Sequence, residues 1–185
     1  MRWLSTVLVA LLATSTSAQA QKLIWELSTG VHPPLCMLPD TRSKPFLYAA
    51  LQRDGLVVYE LSETNRAPRR VANLPMRKLG LLTASYLEQQ GDLLYVALGN
   101  FFNALGSKSG LAIVDIKNPR MPKVLSVWTS PQREAGSHIV TVQGKYAYLG
   151  VMEKGIRILD ISNPKQIKSL SITHPDIHFP NRNPN

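Results

Sequence analysis

From Phe46 onward the apolar residues of this chain come in short runs, cut by glycines, acidic residues and Asn-Pro pairs. The residues 111–116, LAIVDI, are apolar at nearly every position instead of alternating with polar ones. Unbroken apolarity over so few residues fits a strand covered on both faces, and a sheet stacked between two similar sheets provides that cover. Ile113-Val114 and Ile158-Leu159 are β-branched or branched pairs bounded by glycine on one side and Asn-Pro on the other, which is strand punctuation. No window offers a long amphipathic helix, so the chain is expected to be all-β. In its last third four strands are predicted, at 138–143, 146–151, 156–161 and 167–172, with turns at Gly144, at Met152 to Gly155 and at Ser162-Asn163-Pro164.

These strands belong to a repeat. GLAIVDIKNPRMPKVLSV, from Gly110, recurs as GIRILDISNPKQIKSLSI from Gly155, an interval of 155 − 110 = 45 residues. Gly110 and Gly155, Asp115 and Asp160, Asn118-Pro119 and Asn163-Pro164 fall at matching offsets. A more degraded copy, GLVVYELSETNRAPRRVANL, begins at Gly55, with Glu60 in place of the Asp and no Asn-Pro turn; its interval to the next is 110 − 55 = 55. Each copy follows an aromatic-bearing strand, FLYAALQRDG, DLLYVALGNF or KYAYLGVMEKG, and the insertion FFNALGSKS in the second hairpin accounts for the longer first interval. Units of about 46–90, 91–137 and 138–173 result. Four antiparallel strands in each such unit, covered on both faces, describe the blade of a β-propeller.

GLAIVDIKNP and GIRILDISNP resemble the LVIVD repeat, a propeller-type repeat found mainly in exported or surface proteins of bacteria and archaea. The resemblance spans about 46–172 and is weaker in the first copy, where Glu60-Leu61-Ser62 departs from the Asp-Ile-Ser pattern. It implies a fold more than a chemistry, since the repeat brings no agreed catalytic residues. Closed propellers usually need at least four blades. About three four-stranded antiparallel blades therefore make a partial propeller, expected to be a fragment of a longer one with 174–185 as a loop or the start of a next blade; otherwise its bare edges invite self-association.

The first twenty residues change the picture of where this array works. Arg2 precedes an apolar run from Val7 to Ala13, followed by small residues ending Ala18-Gln19-Ala20, the order of a cleavable signal peptide. That run is shorter than the roughly 20 residues a membrane span requires. Cleavage after Ala20 is expected, leaving 21–45 as an N-terminal segment whose first strand includes Trp25. The product is expected in the periplasm, at the cell surface or outside the cell, without a transmembrane segment. Cys36 is the only cysteine, so no intrachain disulfide can form and stability rests on packing. A net charge of +9 favours anionic surroundings without choosing among them. Its one concentration, Arg66, Arg69, Arg70, Arg77 and Lys78, reads as a solvated face with no nucleic-acid motif.

Candidate chemistry is sparse. Asp115 and Asp160 recur at one blade position, which suits holding the following turn through backbone amides better than metal or acid–base work. His174, Asp176 and His178, in HPDIH, are the weak candidates for a metal, on a proline-flanked stretch that reads as a loop. His138, whose counterpart in the second unit is Ser85, has no acid, base or nucleophile partner in the pattern. No catalytic residue and no cofactor is assigned. The expected function is a non-catalytic binding or scaffold module with an anionic or protein ligand; the alternative is an exported hydrolase-like enzyme with its site at the channel mouth.

Overall fold

The computed structural model describes residues 6–7, 27–28, 32–62, 66–99, 108–152 and 154–175. The cleavage site at Ala20, Trp25, most of the FFNALGSKS insertion, and Asp176 and His178 lie outside the described residues. A two-residue antiparallel pairing joins β1 (Thr6–Val7) to β2 (Leu27–Ser28). All other strands among the described residues fall into three four-stranded antiparallel sheets of consecutive strands. Sheet 1 is β3 (Cys36–Pro39), β4 (Phe46–Ala50), β5 (Leu56–Glu60) and β6 (Arg69–Leu74). Sheet 2 is β7 (Ala84–Gln90), β8 (Leu93–Gly99), β9 (Ser109–Asp115) and β10 (Lys123–Thr129). Sheet 3 is β11 (Ser137–Gln143), β12 (Tyr146–Val151), β13 (Gly155–Asp160) and β14 (Lys168–Thr173).

The strands of sheet 3 fall within one residue of the positions the pattern predicts. The divisions between units do not. Residues 84–90, assigned above to the first unit, form the first strand of sheet 2, because Tyr86 to Gln90 pair with Ala97 back to Leu93. Sheet 1 instead begins at Cys36–Pro39, within the stretch expected to precede the array, and this strand pairs with β4 from Cys36↔Ala50 to Pro39↔Leu47. The break between sheets 1 and 2 lies at 75–83, where the 3-10 turn Met76–Lys78 and Gly80, at φ 68°, end strand geometry.

Sheet 2 is buried on both faces. Ala112, Val114 and Ile116 pack with Tyr48, Leu56 and Val58 of sheet 1, whereas Leu111 and Ile113 pack with Val140, Leu149 and Leu159 of sheet 3. All five of these sheet 2 residues have no accessible surface, so the near-continuous apolarity of 111–116 follows from service to two cores. The sheets meet along their inner strands, β3 and β4 against β7, then β7 and β8 against β11. Stacked blades that converge on their first strands form an all-β partial propeller.

The sheets also repeat their irregularities. Ser85 and His138 are the extra residues in matching bulges, between Ala84 and Tyr86 and between Ser137 and Ile139. A second bulge sits in each fourth strand, at Val71, Leu125 and Leu170. One extra residue re-aims the strand, and the fourth-strand bulge recurs at the same place in all three sheets.

Candidate functional site

Alternating hairpins place the connections at two ends of the array. At one end, Gln52 of the 51–55 turn bridges to Ala84 at the start of sheet 2, and Gly99 abuts Gly136 and Ser137 at the start of sheet 3. The opposite end joins sheets through Lys44 Nζ, which donates to the Lys117 carbonyl at 3.1 Å, and Ser126 Oγ, which donates to the Pro164 carbonyl at 2.7 Å.

That opposite end holds a buried polar cluster. Asp40 accepts hydrogen bonds from Tyr48 Oη at 2.6 Å, from the Arg42 backbone N–H at 2.9 Å, from Arg42 Nε at 2.9 Å and from Gln89 Nε2 at 3.2 Å. Burial alone would raise the Asp40 pKa, but these donors, with Arg42 foremost, hold the carboxyl far below its usual range. Burial and the adjoining carboxylate push the Tyr48 phenol up. Gln89 and Asp92 belong to sheet 2, and Arg42 also pairs with Asp92, so the cluster ties two sheets together. A carboxylate saturated by donors is a poor base. The arrangement braces the joint between sheets 1 and 2.

At the first end, Glu134, 3% exposed, pairs with the Arg157 guanidinium and accepts from Ser109 Oγ. Arg157 also donates from Nη1 to Ser169 Oγ at 3.1 Å, while its guanidinium carbon lies 5.2 Å above the Trp128 ring. Its buried Nε–H has no hydrogen-bond partner among the described residues. The corresponding residues of the other sheets are Val57 and Ala112, by the shared register of the second and third strands. Ser137 Oγ donates to the Leu98 carbonyl at 2.6 Å, and Ser85 Oγ lies 2.9 Å from both the Ala97 and Ser137 carbonyls. These serines satisfy backbone groups exposed by the bulges.

The repeated turn residues are placed alike. Asp115 Oδ1 accepts the Lys117 N–H at 2.8 Å and Asp160 Oδ1 the Ser162 N–H at 2.9 Å. Asn118 and Asn163 accept from Arg120 and Lys165 at 3.1 and 3.0 Å, and Pro119 and Pro164 complete the turns. Gly155, at φ 80°, has a backbone that side chains rarely adopt, and a Cβ there would lie 2.4 Å from the Thr173 carbonyl; at Gly110 it would lie 2.8 Å from Leu82 Cδ1. His174 is exposed at the end of β14, and its expected companions, Asp176 and His178, lie outside the described residues. Among the described residues no three His, Cys, Asp or Glu side chains gather to hold a metal ion. His138 is half-buried within the inner strand β11, at its bulge. Cys36 is half-buried against the first core, and burial pushes its thiol pKa up, away from the reactive thiolate.

The basic residues that are neighbours in sequence separate in space. Arg69 pairs with Glu60, which also receives Arg120 from sheet 2, whereas Arg77 and Lys78 lie past the other end of β6. A feature the sequence did not single out is the outer face of sheet 3. Matched through the register, Tyr86, Leu93, Tyr95, Ala97, Leu111, Ile113 and Leu125 of sheet 2 correspond to Ile139, Tyr146, Tyr148, Gly150, Ile156, Ile158 and Leu170. The sheet 2 set packs against sheet 3. In sheet 3 none of the seven is buried, and Ile139 and Leu170 are 49% and 54% exposed. The repeat offset of the third and fourth strands was the signal that could have found this face.

The LVIVD repeat family model matches residues 84–128 and 136–168, which cover nearly all of sheet 2 and sheet 3 up to the start of β14. A search of curated proteins finds no match to this chain. Among the described residues no helix is long and apolar enough to cross a membrane. The repeated Gly, Asp and Asn-Pro positions, the matching bulges and the family match agree: this chain is an LVIVD repeat-containing protein.

Proposed function

We propose that this protein is an exported, non-catalytic binding or scaffold module, working in the periplasm or at the cell surface once residues up to Ala20 are removed. The observation that carries the reading is the open face of sheet 3. It preserves at seven positions the apolar character of a face that sheet 2 buries, yet Ile139 and Leu170 stand about half exposed. An apolar patch kept in register with a buried interface is a surface suited to a protein ligand. The Asp40 and Glu134 clusters fit the same reading, because their carboxylates are spent on joining sheets.

Sedimentation of the chain from Gln21 over a range of concentrations, with and without Ile158→Lys, tests the binding face. Concentration-dependent association that the substitution abolishes is expected. A chain that stays monomeric, with no hydrophobic dye bound to this face, contradicts it. Export is tested separately: the N-terminus of the product recovered outside the cytoplasm should read Gln21-Lys22-Leu23.

A further inference from the structure

We propose that the end of the array carrying Leu81 docks on an anionic lipid bilayer. This goes beyond the binding reading above and uses a different surface, so either can fail alone. Among the described residues Leu81 is the most exposed of the large apolar ones, at 70%, and its backbone is held at φ 61°, in the left-handed region that non-glycine residues seldom occupy. The loop is built to hold it there. Leu79, two residues earlier, is fully buried, and the Leu81 N–H donates to the Met76 carbonyl at 3.0 Å. An apolar side chain thus stands on a rigid, anchored turn, pointing away from the core that its neighbour fills.

The exposed charged residues described at this end are all basic; Glu153, between Met152 and Lys154, lies outside the described residues. Arg77 and Lys78 are exposed in the same turn, and Arg53, Arg133 and Lys154 are exposed on the other described connections at this end. Met152, beside Lys154, is 54% exposed. Of the described acids at this end, Glu134 is buried against Arg157, and Asp54 lies 3.3 Å from His32. The opposite end differs, since Glu60, Asp92, Asp115 and Asp160 lie among its cations. Exposed apolar tips that share one end with exposed cations match the interface of a bilayer with negative headgroups, where cations meet phosphates and the tips enter the acyl boundary. A purely soluble polyanion would leave Leu81 without a role.

The test is flotation of the chain from Gln21 with vesicles of phosphatidylcholine alone or mixed with phosphatidylglycerol. Binding to the mixed vesicles only, weakened by salt, is expected. Arg77→Ala and Lys78→Ala should each lower the affinity about fivefold. Leu81→Gly should lower it about tenfold while leaving thermal stability unchanged or higher, since glycine accepts the left-handed backbone. Lys145→Ala and Lys165→Ala, at the opposite end, should change nothing. Equal binding to both vesicle types, or no binding to either, overturns the proposal. So does a basic-residue dependence that Leu81→Gly leaves untouched, which would mark a polyanion site instead.

Discussion

Leu125 and Leu170 occupy the same bulged position in the fourth strands of successive sheets, yet Leu125 packs into the core between sheets 2 and 3 while Leu170 is 54% exposed. Val71 holds the position in sheet 1 and packs toward sheet 2. The residue is kept apolar three times, and its burial depends on the sheet that follows.

Leu125→Ala should therefore lower the unfolding free energy by about 2 kcal/mol, the low end for a leucine that keeps some exposure. Leu170→Ala should change it by less than about 0.5 kcal/mol. Urea midpoints of the two variants, measured together, give the comparison; equal losses would mean that both leucines share one environment.

Arg157, the partner of Glu134, stands where the register puts Val57 and Ala112 in the other sheets. Removing one partner of a buried pair leaves an uncompensated charge, so Glu134→Ala should cost about 3 kcal/mol. The double variant Glu134→Leu with Arg157→Val should regain most of that, because it leaves no buried charge and the other sheets carry apolar residues at the Arg157 position. Chemical denaturation of the two variants decides whether the pair stabilises or only satisfies itself.

The Asp40 carboxyl titrates below its unfolded value of about 3.9. A depressed folded pKa gives stability that is complete above that value and falls as the pH drops through and below about 4. Asp40→Asn should be less stable than the parent at neutral pH, and the gap should narrow steadily in acid. Melting temperatures of both proteins between pH 7 and pH 2.5 provide the check, with parallel curves as the contrary result.

Gly99 and Gly144 differ in what surrounds them. A Cβ on Gly99 would lie 2.5 Å from the Ser137 nitrogen and 2.6 Å from the Gly136 Cα, backbone atoms that can yield only if sheets 2 and 3 part. Gly99→Ala should cost about 2 kcal/mol or more. Gly144 has φ 58° and nothing within 4 Å, so Gly144→Asn, a residue that tolerates this region, should cost under about 1 kcal/mol. Thermal melts of both variants separate close packing from turn conformation.

Much of the blade was legible because its punctuation is local. Gly144, Gly155 and Asn163-Pro164 end strands through their own backbone preferences, and the strands between them stand within a residue of expectation. The strand at Cys36–Pro39 was not, since it is four residues long, ends in proline and has no counterpart recognisable by repetition. The joints between blades were hidden for another reason. Arg42 and Asp92 are 50 residues apart, Glu134 and Ser109 are 25 apart, and no local pattern records that they meet.

The chain by itself determined the strand class, the repeat and its turns, because glycine, Asn-Pro and unbroken apolar runs act on their own neighbourhoods. Tertiary structure decided which strand opens each sheet, which carboxylates are spent on bracing, and which apolar face and which loop end stay in contact with solvent. Those outcomes depend on stacking, where one residue is buried or exposed according to the sheet beside it.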